Sequence, residues 1–262
     1  MGRCLQPTKC KTQTTNEDWS TRGLVDVCSE LAVEILPRGS CLTVLGTQLA
    51  LETGTSLEVQ TRISKGWRMF FAMKALLCNQ SISRKRRLLL FNSTVCSGVL
   101  WCAESWALRV SDKQHLKTAQ NKTLRLIVDV RRSSSEEPWV DWIVRSTRFA
   151  RKVAKEAGVR CWISSHAERK WRWAGHIART SSEEWVWKVT AWRDDSWQQL
   201  QTNSSRPLRA RPGRWTRWED PIKQHAAKES ATPWKSQASD RDGWRALAAM
   251  FEHCMMPASR AT

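Results

Sequence analysis

Apolar residues recur every three or four positions along most of this chain, and that spacing restricts its fold more than any other feature. From Ser56 onward the repeat runs through Leu57, Ile63, Trp67 and Phe70, which places apolar side chains on one face of a helix. The same spacing predicts further helices at about 83–108, 112–128, 139–157, around Trp171, 183–200 and 240–254. The chain is therefore expected to be mainly α-helical.

Two strand-like segments precede the helices. Ala32–Leu36 alternates apolar and polar residues, Pro37–Ser40 has the composition of a turn, and Cys41–Gly46 is a second apolar segment. These segments predict a small β-hairpin after an irregular N-terminus. The expected fold is that hairpin followed by a helical bundle.

The formal net charge of +18 favours a polyanionic partner. Residues 1–61 hold five Lys/Arg against seven Asp/Glu, residues 62–132 hold fifteen against three, and residues 133–262 hold twenty-three against fifteen. This asymmetry predicts a surface that meets nucleic acid. The alternative is a basic protein that its charge merely keeps in solution.

Tryptophan is abundant and cysteine is scattered. Seventeen Trp occur without any Tyr; most are expected in the core, where each can bury roughly 150–250 Å². The nine Cys lack the short paired spacings of a zinc site, so no metal site is predicted. With no secretion signal and no membrane-length apolar run, an intracellular location, nuclear or cytoplasmic, is expected.

Two blocks interleave cationic and aromatic residues, a combination that suits a phosphate backbone with bases beside it. They are Arg169–Arg179 and Arg211–Asp220. Trp171 and Trp173 lie about 200° apart on a helix, so at most one can face a ligand while the other is core. The candidate nucleic-acid-binding residues of the two blocks are Lys170, Trp171, Arg172, Arg179, Arg211, Arg214 and Arg217.

A third basic feature follows Ser83, which is a plausible helix N-cap. It consists of Arg84, Lys85, Arg86 and Arg87. Four cations in a first helical turn oppose the helix dipole unless an anion lies nearby, so phosphate binding is predicted here too. The alternatives are a solvated helix end and a localisation-type basic run.

No catalytic residue is predicted. His166 and His176 are ten residues apart, which matches no compact metal motif, so a histidine packed beside Trp173 is the favoured interpretation of His176. The pair Asp194-Asp195 has the sequence context of a helix surface, not of a strand tip.

Six motifs together resemble the C-terminal part of reverse transcriptases from non-LTR (LINE-type) retrotransposons, in the order of that family. They are Leu5–Thr12, Ile35–Leu49 with Leu45-Gly46, Glu58 to Trp67 through Arg62 and Ile63, Val99–Trp106, Trp171–Arg179 and Arg211–Trp218. Val44 stands where the family has Tyr before Leu-Gly. The resemblance implies a remnant palm edge at 1–55, a helical thumb-like domain at 56–132, a Trp-rich helical extension at 133–205, and a basic linker with a terminal helix at 206–262.

The family's paired metal-binding aspartates, at the tip of a palm hairpin, have no counterpart in this chain. Polymerase chemistry needs such carboxylates to hold two divalent ions, so the parent polymerase would use Mg while no cofactor is expected here. Lys9 matches a family lysine near the incoming nucleotide, but alone it predicts no activity.

The resemblance therefore implies a non-catalytic fragment that grips template and primer in its parent. The implied partners are RNA, DNA or an RNA–DNA hybrid, and the missing polymerase core in trans. The alternative is a decayed retroelement remnant with no selected function.

Overall fold

The computed structural model describes residues 11–12, 24–28, 31–37, 40–50, 54–191 and 217–256. Its described part is mainly helical with short strands near the N-terminus, as the periodicity predicts. The strands are β1 (Lys11–Thr12), β2 (Leu24–Cys28), β3 (Leu31–Ile35), β4 (Leu42–Val44) and β5 (Thr47–Leu49). The α-helices are α1 (Thr55–Ala72), α2 (Lys74–Leu77), α3 (Arg84–Phe91), α4 (Ser97–Val99), α5 (Val110–Val128), α6 (Trp139–Glu156), α7 (Trp162–Arg179), α8 (Trp185–Ala191), α9 (Asp220–Glu229), α10 (Trp234–Gln237), α11 (Arg241–Ala246) and α12 (Ala248–Met255).

The pairing predicted for the β-hairpin is wrong. Strand β3 exists, but it pairs antiparallel with β2 and parallel with β1. The hairpin is instead β4 with β5, and Leu45-Gly46 forms its turn. Both turn residues have positive φ, 49° and 81°, which is the twist that a two-residue hairpin turn requires.

A buried ion pair attaches this hairpin to α1. The Arg62 guanidinium donates to the Glu58 carboxylate at 2.5 Å and to the carbonyl of Gly46 at 2.7 Å. The other Glu58 oxygen accepts the backbone N–H of Gln48 at 2.7 Å. Two residues of the motif at 58–67 therefore connect the strands to the helical bundle.

The helix boundaries follow local signals in most places. Ser83 caps α3 by accepting the N–H of Arg86, and Asp112 accepts the N–H of Arg109 at 2.9 Å at the start of α5. Gly158, with φ of 80°, follows the end of α6. The Ser83 cap was expected from the sequence, whereas α5 begins at Val110, two residues before its predicted start at 112.

Two predicted helices are interrupted. The stretch from 83 continues as α3, a π-helical turn at Asn92–Cys96 and α4. It ends at Val99, and after a left-handed residue, Cys102, a 3₁₀ turn forms at Ala103–Ser105. The terminal helix divides into α11 and α12, with Asp240 as its N-cap.

The described side chains form two apolar clusters. The first extends from Val59 to Ile163 and joins α1, α3, α4, α5, α6 and the start of α7. The second joins the rest of α7 to α9, α10, α11 and α12. Helix α7 belongs to both, so it positions the C-terminal helices against the earlier bundle.

Among the described residues, no helix is long and apolar enough to cross a membrane. Leu5 to Cys10 of the first motif, Lys9 included, lie outside the described residues, as do Asp194-Asp195 and residues 206–216 of the predicted basic linker. The division of the chain into four domains stays a prediction.

Candidate functional site

Helix α7 distributes its central block over two faces, because residues three and four apart share a face. The buried face carries Lys170, Trp171, Ala174, Gly175 and Ile177. The other face carries Arg169, Arg172, Trp173, His176 and Arg179. The block therefore combines a set that packs in the core with a set that faces away from it.

The buried face is organised around a stack of two tryptophans. The rings of Trp171 and Trp244 lie parallel, 3.7 Å apart between centroids and 4° between planes. Trp171 Nε1 donates to the carbonyl of Trp244 at 2.7 Å, and Trp244 Nε1 donates to the carbonyl of Trp171 at 3.0 Å. A Cβ added at Gly175 would lie 2.7 Å from the Trp244 ring, so the missing side chain makes room for the stack.

An open cleft of about 720 Å³, here named the arginine cleft, lies between the other face of α7 and α11. Its cationic lining consists of Arg169, Arg172, Arg179, Arg241 and Arg245. Two carboxylates, Glu104 and Glu168, also line it. Trp173 is 37% exposed, and the centroid of its ring lies 5.1 Å from that of the His176 ring. Guanidiniums can bind oxyanions through paired hydrogen bonds, and an accessible aromatic ring offers a stacking surface.

The charges of the arginine cleft are only partly compensated. Glu168 pairs with Arg172 at 2.7 Å and also contacts Arg160, and Arg245 lies 3.4 Å from Asp242. Burial lowers the pKa of the Arg179 guanidinium, and the positive charges of Arg241 and Arg245 lower it further. An anion bound among these arginines would relieve their mutual repulsion.

The predicted residues of the first block divide accordingly. Arg172 and Arg179 line the arginine cleft, whereas Lys170 and Trp171 are buried. The expectation that one of the two neighbouring tryptophans is core is confirmed: Trp171 is buried, whereas Trp173 is accessible and lines the arginine cleft.

Lys170 is fully buried, and its ammonium donates to the carbonyl of Trp106 at 2.8 Å. It also lies 5.1 Å from the centroid of the Trp218 ring. Burial lowers the pKa of Lys170 to about 7, against a smaller opposite effect of Asp220. A side chain held in this way cannot reach an external phosphate without leaving the core.

Three of the sequence motifs converge around Lys170. His166 Nδ1 lies 2.8 Å from the carbonyl of Ala103, and Arg169 donates to the carbonyl of Leu100 at 2.7 Å. From the third motif, Trp218 Nε1 donates to the carbonyl of Glu104 at 2.7 Å. These bonds join helix α7 to the segment 99–106 and to Trp218. The resulting junction lies beside the arginine cleft, which Glu104 and Arg169 also line.

The other predicted basic run lies elsewhere. Arg84, Lys85 and Arg86 are exposed on the first turn of α3. This run is at the start of α3, whereas the junction with α7 is at the end of α4. The two ends are about fifteen residues apart, roughly 20 Å along a helix. The structure therefore does not bring this run together with the arginine cleft.

Arg87 differs from its three neighbours because it is buried. Its guanidinium donates to the carbonyls of Ile82 at 3.0 Å, Leu77 at 3.5 Å and Ile127 at 2.5 Å. These contacts join the end of α2, the start of α3 and the end of α5. The buried guanidinium of Arg87 is therefore positioned to stabilise the fold.

Part of the second block can also be located. Arg211 and Arg214 lie outside the described residues. Arg217 is described, and its backbone N–H donates to the Asp220 carboxylate at 2.7 Å. In the described part of the chain, no three His, Cys, Asp or Glu side chains are grouped to hold a metal ion.

Sequence reasoning missed Arg169, Arg241 and Arg245. Arg169 is three residues from Arg172 on the same helical face, a spacing visible in the sequence. Arg241 and Arg245 are four apart around Trp244, so they form an amphipathic pattern with Trp244 inside and both arginines outside. Their position beside α7 depends on the Trp171–Trp244 stack, which no local pattern reveals.

Comparison with known proteins gives one informative likeness. The chain is 24% identical over 209 residues to a Caenorhabditis elegans protein described as transposon-derived and uncharacterized. The alignment covers 78% of this chain and 68% of that protein, so the likeness is not confined to one motif. No protein-family model and no solved structure matches the chain.

The buried Lys170 predicts that stability rises with pH. The folded-state pKa of about 7 lies below the ordinary lysine pKa of 10.5, so between these values the unfolded state binds more protons and deprotonation favours folding. We expect unfolding in urea to show a gain of up to about 2 kcal/mol between about pH 7 and pH 9 that Lys170→Met lacks. His166, whose burial lowers its pKa to about 3, acts in a separate range below about pH 6.5. Equal pH dependence in both proteins would contradict the assignment to Lys170.

Proposed function

We propose that the protein is a non-catalytic nucleic-acid-binding fragment of retroelement origin, derived from the C-terminal part of a non-LTR reverse transcriptase. The observation that carries the proposal is the arginine cleft: five guanidiniums and an accessible Trp173 ring line one concave surface. Arginine forks bind phosphate oxygens in pairs, and an aromatic ring offers bases a stacking surface.

The chemistry of the cleft supports nucleic acid over a small neutral ligand. Five arginines face two carboxylates, and Glu168 is already paired. The chain as a whole carries a net charge of +18. Its long-range attraction and the local contacts of the cleft therefore both favour a polyanion. The exposed residues Arg84, Lys85 and Arg86 would add a second phosphate contact at a distance from the cleft.

The transposon-derived relative supports a transposon origin for the chain. The ordered motifs at 35–49, 58–67, 99–106, 171–179 and 211–218 are the reason for assigning that origin to a reverse transcriptase. In such a parent the fragment would hold the RNA template with the growing DNA strand. The Mg-binding carboxylates would belong to a separate palm, and that core is a possible partner in trans.

Binding to a labelled RNA–DNA hybrid that carries an unpaired overhang, measured across a salt series, tests the proposal. Replacing Arg172, Arg179, Arg241 and Arg245 together by Gln is expected to weaken binding and to reduce the log–log salt slope by up to about three to four, roughly 0.9 for each lost phosphate contact. The matched control removes four exposed cations outside the cleft: Arg68, Arg148, Lys152 and Lys228.

The control separates a site from general charge attraction. Equal weakening by both sets would show that net charge alone drives binding and would overturn the cleft assignment. Absence of binding even at low salt, to hybrid, duplex and single strands alike, would favour the second candidate, a decayed retroelement remnant without a selected function.

A further inference from the structure

We propose that the arginine cleft takes an unpaired nucleotide strand, with one base on Trp173 and the adjacent phosphates on Arg179, Arg241 and Arg245. This inference rests on the proposed function and names the form of nucleic acid that the site selects. An RNA strand and a DNA strand both offer bases and phosphates to this site.

The shape of the cleft is the first reason. A volume of about 720 Å³ is that of a pocket for a small molecule or a few nucleotides. A duplex is read by protein elements that project into its grooves, the wider of which is about 12 Å across. The described surface here is concave, and the closely packed Trp171–Trp244 pair, 3.7 Å apart, forms part of its wall.

The aromatic side of the cleft is the second reason. Trp173 is held on the rigid helix α7 and lies against His176 with an angle of 31° between rings. Bases inside a duplex are already stacked on their neighbours, so an aromatic ring can stack only on a base that is unpaired or at an end. Unpaired strands offer such bases along their length.

The cationic side fits a backbone that passes beside that ring. Arg179 is on the helical face of Trp173, and its guanidinium is oriented by a hydrogen bond of 2.7 Å to the carbonyl of Ala238. Arg241 and Arg245 reach the same cleft from α11. Arg172, paired with Glu168, lies next to Trp173. Phosphates and base would thus contact different sides of one site.

Fluorescence anisotropy with short labelled probes tests the proposal on the full chain at one salt concentration. The probes are single-stranded RNA, single-stranded DNA, a blunt RNA–DNA hybrid and the same hybrid with an unpaired overhang. We expect either single strand, and the overhang, to bind about tenfold or more tightly than the blunt hybrid. Trp173→Ala should cost the single strand roughly tenfold in affinity, the effect of losing one stacked base, and leave the blunt hybrid unchanged.

Two further variants make the test specific. Trp173→Phe keeps an aromatic face and should retain most of the affinity. Trp185→Ala removes a tryptophan that is 78% exposed and outside the cleft lining, and it should bind as the unmodified protein does. Unfolding in urea verifies that each variant is folded.

The outcomes distinguish this inference from the proposed function. If the blunt hybrid binds as tightly as the single strands, or if Trp173→Ala changes nothing while salt-dependent binding persists, the strand assignment fails and nucleic-acid binding stands. If no probe binds at low salt, both fail.

Discussion

Replacing Trp171 by alanine is expected to lower the free energy of unfolding by about 3–5 kcal/mol. The side chain is 1% exposed and stacks on Trp244. It also contacts Phe251, with centroids 4.6 Å apart, and meets His225 edge-on at 5.3 Å. The substitution would leave a large cavity at the centre of the second apolar cluster and remove the Nε1 hydrogen bond to the Trp244 carbonyl.

Trp173→Ala is the matched control, since it removes the same side chain two residues away on the same helix. Trp173 lies at the surface, so its loss should change the free energy of unfolding by less than about 1 kcal/mol. Equilibrium urea denaturation, followed by circular dichroism, compares the two variants. Similar losses of stability in both would contradict the division of the α7 block into a core face and a cleft face.

The helices were predictable because their signals are local. Periodic apolar residues, the Ser83 cap, the Asp112 carboxylate and Gly158 each act within a few residues of a helix end. Helices α9 and α10 were missed, although Pro221 lies at the start of α9, a position that favours helix initiation. They are short, and their apolar residues pack on α12 and on α7, the latter distant in sequence.

Strand pairing was less predictable than strand location. The segment at 31–35 alternates correctly, but its partner is set by which neighbouring turn can form. Leu45-Gly46 supplies the positive φ of a tight hairpin turn and so pairs β4 with β5. The backbone N–H of Ser40 donates to the carbonyl of Pro37 at 3.1 Å, as in a turn, yet the strands on either side, β3 and β4, belong to different sheets.

The candidate site was half predictable for a similar reason. Interleaved cations and tryptophans in 169–179 pointed to a ligand surface, and Arg172 and Arg179 do line the cleft. The same composition led to a wrong expectation for Lys170, which is buried and not at the ligand surface. Lys170 faces the core because the carbonyl of Trp106 and the ring of Trp218 receive its ammonium, and both partners are distant in sequence.

Arg87→Ala is expected to lower the free energy of unfolding by about 3 kcal/mol, because three backbone carbonyls lose a charged donor and two of these contacts are in the core. The carbonyls of Leu77 and Ile127 would be left without that partner at the meeting point of α2, α3 and α5. Arg86→Ala is the matched control: it removes an equal charge from the adjacent, exposed position, and it should change stability by no more than about 0.5 kcal/mol.

The same pair of variants separates stability from binding within one basic run. Arg86→Ala should weaken association with a labelled RNA–DNA hybrid and lower its log–log salt slope by about one, whereas Arg87→Ala, measured where it is still folded, should leave the slope unchanged. Denaturation in urea and anisotropy at several salt concentrations provide the two readouts. A reduced slope for Arg87→Ala with unchanged stability would reverse the assignment and place its guanidinium on phosphate, because a side chain that holds three carbonyls cannot be removed without loss to the fold.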